Sequence, residues 1–417
     1  MSTDPSVDPT SFASKPSWTG PRRYVEQKWQ IDQSARSSVE NRSSGYQAVC
    51  GPESVPDFAA VRNRVNKQAD IAPAFEAAAR RREAKARAAE EAEHPVSARA
   101  SYFIAAVLWG SAQWTVEENN EQNLFYNERK RDCYGRYGKL ADHRVEAAWI
   151  PFRGKKLPGW LHLPPGYERG RVPAVVSFQG MDGFKEMGVN LYGDRWLQRG
   201  IAVLAVEGPG QYESPVLGIH VSMDAWVETG PLLMEWMRAR PEIDPERIGL
   251  FGSSFGSLFG TLCAANEPRF KACAVRATCL EPGGHSIFEQ APPPYKRRFM
   301  YMSNMTDEAA FDAFAKTLTW EGHADKIRAP YLCMAGEFDN LCPLHHTERM
   351  FSVLKGPKQL VVYQDAPHGL GGVPSHNLGP ESSGFIADWM LDRLEGKPMA
   401  SERWYVQANG QILKTPY

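Results

Sequence analysis

From residue 142 onward, short apolar runs alternate with longer segments of helical period, and that alternation leaves few folds open. The runs at Val172–Phe178, 201–206, 247–251, 271–275, 330–335 and 359–363 are dominated by apolar residues, without a regular polar side. Such runs belong to strands covered on both faces, as in parallel sheets. Segments 223–240, 255–265 and 347–354 fall between them with helical spacing. The pattern predicts a doubly wound, mainly parallel α/β sheet with helices on both faces. Ahead of it, 144–152 and 159–163 flank Arg153-Gly154-Lys155-Lys156, a hairpin pattern. Segment 282–319 breaks the rhythm with Pro292-Pro293-Pro294, and is read as an insertion over the sheet's C-terminal edge, where ligands bind in this architecture.

Upstream, the texture is helical. Stretches 72–93, 96–113 and 119–137 are rich in helix formers and aromatic residues. Residues 56–141 are therefore read as a helical domain, with 142–417 as the α/β domain. The Arg80-Arg81-Arg82 run is taken as a solvated helix face. Residues 1–55, with their Ser, Pro, Gly and charge, read as a loosely held polar arm.

The sharpest local pattern is Gly252-Ser253-Ser254-Phe255-Gly256, which follows an apolar strand and opens a helix. It matches the G-x-S-x-G nucleophile elbow of α/β-hydrolases. The turn lifts the Ser254 hydroxyl clear of the sheet and aims a helix N-terminus at a developing oxyanion. A serine hydroxyl needs a base, and in this fold the triad runs Ser, then Asp or Glu, then His. Asp339 follows the run 330–335, with Glu337 as its competitor. His368 follows the run 359–363, with His376 as its rival; His345 and His346 open a helix and read as surface or capping residues. Two backbone amides should receive the oxyanion. One is that of Phe255. The other belongs to the loop after Val172–Phe178, at Met181 or, as runner-up, Asp182.

Four further segments carry a family resemblance. Phe178-Gln179-Gly180-Met181-Asp182-Gly183-Phe184-Lys185-Glu186 resembles a strand-loop signature, with Gln179 where glycine is usual. Glu207-Gly208-Pro209-Gly210-Gln211-Tyr212-Glu213-Ser214 resembles D-G-P-G-Q-G-E-S, departing at Glu207 and Tyr212. Asn266-Glu267-Pro268-Arg269-Phe270 and His376-Asn377-Leu378-Gly379 also fit. Together, over roughly residues 95–395, they resemble the 2,6-dihydroxypseudooxynicotine hydrolase group, which is similar to the fungal yellowish-green 1-type polyketide-shortening hydrolases. The resemblance implies that the helical domain is a cap over a Ser/Asp/His core, and that some members cleave a carbon–carbon bond beside a ketone. It supports Ser254, Asp339 and His368 position by position. Tyr212, standing for a glycine, becomes a candidate substrate contact or a packed aromatic; Glu213 is a polar wall or a structural anchor. Glu281 and His285, in the insertion, are further candidates for substrate contact or for the surface.

Other readings narrow the function. A formal net charge of −1 gives no broad field for nucleic acid or anionic membrane. The seven cysteines are scattered, with no metal-type spacing, and read as reduced thiols of a cytoplasmic protein. Residues 1–17 have no apolar core of a signal peptide, and no run reaches the roughly 18 apolar residues of a membrane span. No cofactor and no metal is expected. The expected partner is a small-molecule substrate, and a homo-oligomer stays open. The reaction expected is hydrolysis through an acyl-enzyme, of a C–C bond next to a ketone or of an ester as a general carboxylesterase. A small-molecule binding protein on a hydrolase scaffold is the non-catalytic alternative.

Overall fold

The computed structural model describes residues 28–189 and 194–417. Helices α1 (Lys28–Cys50), α2 (Val55–Arg62), α3 (Ile71–Glu91), α4 (Pro95–Gln113) and α5 (Glu121–Leu140) come first. Every residue of α4 from Ser101 to Gln113 is buried, so this helix is apolar all round and forms the centre against which α3 and α5 pack. The loose arm expected for residues 1–55 is corrected for its second half: α1 is a 23-residue helix. Its Ile31, Ala35, Val39, Ser43, Tyr46 and Cys50 are buried at spacings of three and four. Serines and arginines between them had hidden that stripe. The first 27 residues of the arm lie outside the described residues.

The α/β part forms one ten-stranded sheet in the order β1-β2-β4-β3-β5-β6-β7-β8-β9-β10. Its strands are β1 (Val145–Phe152), β2 (Lys155–His162), β3 (Val172–Phe178), β4 (Ala202–Val206), β5 (Ile243–Ser254), β6 (Cys273–Thr278), β7 (Tyr331–Gly336), β8 (Lys358–Tyr363), β9 (Glu402–Val406) and β10 (Ile412–Pro416). Pairing is parallel from β4 through β3 to β9, and antiparallel at both ends. The closing hairpin β9–β10 adds two strands that the apolar runs did not announce, because β9 is only half-buried and β10 is an exposed edge ending in Pro416. Helices α6 (Glu213–Val216), α7 (Met223–Arg238), α8 (Phe255–Asn266), α9 (Pro294–Met302), α10 (Glu308–Ala315), α11 (Leu344–Val353), α12 (Pro374–Leu378) and α13 (Ser382–Leu394) complete the chain. Within segment 282–319, α9 and α10 bring Phe299 and Phe311 into a ring cluster with Phe255 and Phe288, which roofs the start of α8.

The helical part shares its core with the sheet. Trp160 of β2, Phe184 and Tyr212 are buried within the same apolar cluster as Phe103, Trp109 and Tyr134. Beneath it lies a buried charge cluster. Lys185 Nζ is 2.7 Å from Glu213 Oε2, 2.9 Å from Glu186 Oε1 and 3.2 Å from Glu207 Oε2. Lys130, on α5, stands 3.8 Å from Glu186 and 4.0 Å from Glu207, and Arg131 closes on Glu213 at 3.1 Å. Burial opposes the charge on Lys185, yet Glu186, Glu207 and Glu213 outweigh it and raise its pKa. For Lys130 burial prevails and the pKa is lowered. The two signature segments of the sequence therefore meet each other, and the cap, in one ion cluster.

Candidate active site

The elbow is built as its glycines require. Ser254 sits at φ 54°, ψ −125°, a strained backbone conformation for a residue with a Cβ. A Cβ on Gly256 would stand 2.7 Å from the carbonyl oxygens of Phe178 and Gln179, so only glycine allows α8 to start this close to β3. Ser254 Oγ lies 2.9 Å from His368 Nε2, and His368 Nδ1 lies 2.9 Å from Asp339 Oδ2. Asp339 is buried, and its Oδ1 accepts the amides of Leu341 at 2.9 Å and Cys342 at 3.0 Å. That fixes the carboxylate's orientation and directs its second oxygen to the imidazole.

The competitors are engaged elsewhere. Glu337 accepts the Asp365 amide and the Tyr405 hydroxyl, each at 3.0 Å. His376 Nε2 is 3.2 Å from Ser382 Oγ, against the ring of Tyr363. The rings of His345 and His346 lie 4.0 Å apart at a tilt of 38°, and His346 reaches Glu281.

Gly180 packs directly on the elbow: a Cβ there would lie 2.7 Å from Ser254 Cβ and 3.3 Å from Ser254 Oγ. The next residue, Met181, is buried, as is Phe255, which directly follows Ser254. Asp182 follows and is held from four directions. Its carboxylate accepts Trp114 Nε1 at 2.8 Å and pairs with Arg42 at 2.9 Å. Its carbonyl accepts the hydroxyls of Tyr212 at 3.0 Å and Tyr46 at 3.3 Å. Arg42, on α1, also lies over the Trp114 ring at 3.2 Å. Helices α1 and α4 thus fix the loop that carries Met181, a link with no periodic trace in the sequence.

Of the readings open for Tyr212 and Glu213, burial favours the packed aromatic and the structural anchor over a substrate contact. Tyr212 is enclosed between Phe184, Lys130 and Arg298, and its hydroxyl is committed to Asp182. Glu213 is fully buried as an anchor of the charge cluster. Burial raises the Tyr212 phenol well above its ordinary pKa. Glu281 accepts the Ser286 amide at 2.8 Å and borders a small apolar hollow with Phe255, Cys279, Ile287 and Phe288. That hollow holds only about 10 Å³, the room of one water. His285 is exposed, a surface position. Cys279 Sγ lies 3.6 Å from Ser254 Oγ, and burial keeps this thiol protonated. One residue that sequence reasoning missed is Tyr295, on α9 one turn before Phe299. Its phenol is pushed up to about 12 by burial, with Asp182, Cys279 and Asp339 among the neighbouring groups that reinforce the shift. Among the described residues no cluster of His, Cys, Asp and Glu could hold a metal ion, and no helix is long and apolar enough to cross a membrane.

The mainly parallel sheet, the elbow and the order Ser254, Asp339, His368 define the α/β-hydrolase fold. The prolyl oligopeptidase family model matches residues 232–397, the span that holds strands β5 to β8. The chain's homologues include 2,6-dihydropseudooxynicotine hydrolase of Paenarthrobacter nicotinovorans, 26% identical over 318 residues, covering 74% of this chain and 80% of the relative. They also include the fungal α/β-hydrolase xenA of Xenoacremonium sinensis, 30% identical over 237 residues and 54% of each chain. The chain spans about half the length of the fungal relatives it matches. The crystal structure of 2,6-dihydroxy-pseudo-oxynicotine hydrolase superposes with a TM-score of 0.72 at 23% identity, over 86% of this chain and 97% of that one, and shares the fold.

Proposed function

We propose that this chain is a serine hydrolase that cleaves an acyl bond of a small aromatic or ketone-bearing molecule, a C–C bond next to a ketone, through an acyl-enzyme on Ser254. The observation that carries the reading is the unbroken relay from Ser254 Oγ to His368 to Asp339, each step 2.9 Å. His368 takes the Ser254 proton as the hydroxyl oxygen bonds to the substrate carbonyl carbon. The amides of Phe255 and Met181 receive the oxyanion. The bond to the leaving group then breaks, and His368 returns its proton to that group, a carbanion delocalised into its own ketone or ring. Water, deprotonated by His368, attacks the acyl carbon, and the proton passes back to Ser254. Asp339 holds the imidazole tautomer and stabilises the imidazolium. The hydrolase relative that acts on a pseudooxynicotine supports the C–C reading.

An ester would pass through the same relay, and the one-water hollow beside Cys279 favours a short acyl group in that case. A fluorophosphonate probe is expected to label the protein and to leave Ser254→Ala unlabelled. Aryl ketones and β-diketones are then compared with p-nitrophenyl esters by acid release. Turnover of esters alone would discard the C–C reading and keep the serine hydrolase. No labelling and no turnover would return the chain to a binding role.

A further inference from the structure

Behind the elbow, on the strand next to β5, stands an arginine that the reaction does not use. Arg276 of β6 is the register neighbour of Ser253, the residue before the nucleophile. Its guanidinium makes two long contacts with neutral groups: Nη1 to Ser383 Oγ at 3.2 Å and Nη2 to the Gly369 carbonyl at 3.4 Å. Its Nε is buried and has no partner among the described residues. No carboxylate of the described residues lies within ion-pair distance of it. The nearest influential acid, Glu381, is engaged by Arg195 at 3.1 Å and by the α13 amides of Ser383 and Gly384 at 3.0 and 2.7 Å. Burial lowers the Arg276 pKa below the ordinary arginine value. The guanidinium is half-buried, its Nε is orphaned and no counter-charge among the described residues stands against it, whereas proteins ordinarily pair a charge withdrawn from water.

The guanidinium faces a cavity of about 270 Å³. Ser177, Gln179, Ser253 and Ser383 line it with hydroxyl and amide groups, which donate readily to an anion. Arg195 and Asp194 also border it; the Asp194 carboxyl is pushed up to about 7 by burial, which the amides of Trp196 and Leu197 only partly oppose. Val49, Met187, Trp196, Phe251 and Ile386 form its apolar walls, and the arginines and hydroxyls gather on its polar side. We propose that this cavity is a binding site for a small oxyanion, a carboxylate or a phosphate group, held by Arg276 and the hydroxyls of Ser177, Ser253 and Ser383. Such an ion completes the guanidinium's fork. Because Arg276 also holds the Gly369 carbonyl, the residue after His368, an occupied site stiffens the loop that carries the base.

The binding arm of the test is independent of any catalytic reading. The full chain is titrated with inorganic phosphate, and separately with acetate, at constant ionic strength set by chloride, and its thermal midpoint is followed. A saturable rise is expected that weakens at least tenfold in apparent affinity in Arg276→Gln, and less in Arg276→Lys. Ser383→Ala, which keeps the cation, is expected to weaken binding modestly. A second arm locates the source of the anion. If the group belongs to a substrate, Arg276→Gln raises KM for mono-p-nitrophenyl succinate at least fivefold more than KM for p-nitrophenyl acetate. If it is a free anion, phosphate shifts the rates of both esters together in the parent protein and in neither with Arg276→Gln. Phosphate and acetate responses that are absent in the parent, or that are unaltered in both Arg276 variants, overturn the proposal.

Discussion

Replacing Lys185 with Met tests whether the charge cluster beneath the cap locks the two halves together. In the parent, Glu186, Glu207 and Glu213 carry three negative charges against Lys185, Lys130 and Arg131. Lys185→Met leaves one buried carboxylate uncompensated. Breaking a buried pair by removing one partner destabilises by roughly 3–5 kcal/mol. An independent bound comes from proton uptake. The variant can neutralise one glutamate, and moving its pKa from about 4.3 to above 7 costs about 4 kcal/mol at neutral pH. The two figures agree. With about 2.1 cal/mol/K of unfolding entropy per residue, this chain should lose about 3–6 °C of thermal midpoint. The sign with pH is fixed too. A carboxyl whose pKa is raised in the native state costs least near its unfolded pKa and most above its native one. The deficit should therefore shrink as pH falls from 7 toward 5, and Lys185→Met with Glu213→Gln should recover most of it. Differential scanning calorimetry at pH 5, 6 and 7 on the three proteins decides. An unchanged midpoint, or a deficit indifferent both to pH and to the second substitution, refutes the reasoning.

Other outcomes follow from the site and the core. Gly180→Ala puts a Cβ 2.7 Å from Ser254 Cβ, so the elbow must shift; kcat/KM should fall about a hundredfold with an unchanged circular dichroism spectrum. Asp182→Ala removes the Trp114 and Arg42 contacts and should lower kcat about tenfold to a hundredfold, whereas Asp182→Asn, still able to accept from Trp114, should retain more; steady-state kinetics separates them. His162 is buried between the Tyr134 hydroxyl and His143, and burial holds its pKa well below the ordinary histidine value. Its contribution to stability is present above about pH 6.5 and is lost as pH falls, by about 1.4 kcal/mol per pH unit, because only the unfolded chain takes up the proton. Urea midpoints between pH 7.5 and 5 should show a shallower loss in His162→Gln.

The parallel strands, the elbow and the order of Ser254, Asp339 and His368 were legible because each is local: a run of apolar residues, a glycine pair around a serine, a residue just past a strand. What escaped depends on distance. Tyr46 and the Asp182 carbonyl are separated by 136 positions, and no spacing rule connects them. Tyr212 stands out in the sequence as a bulky residue in place of glycine, but its direction is set by a backbone at φ 31° that turns the ring into the helical core. Helix α1 carries little sequence signal for a compositional reason, since serines and arginines dilute a buried stripe that its partners α2 and α4 make visible.

Asp182 has one more consequence. Two side chains from α1, the tryptophan that caps α4 and a tyrosine beside α6 all converge on the loop next to Ser254, so the upstream helices brace that loop. A catalytic half expressed alone would keep its serine, histidine and aspartate and lose the rigidity of the segment that faces them. Swapping whole upstream halves between relatives should then succeed only where arginine, tyrosine and tryptophan travel together with the aspartate they grip.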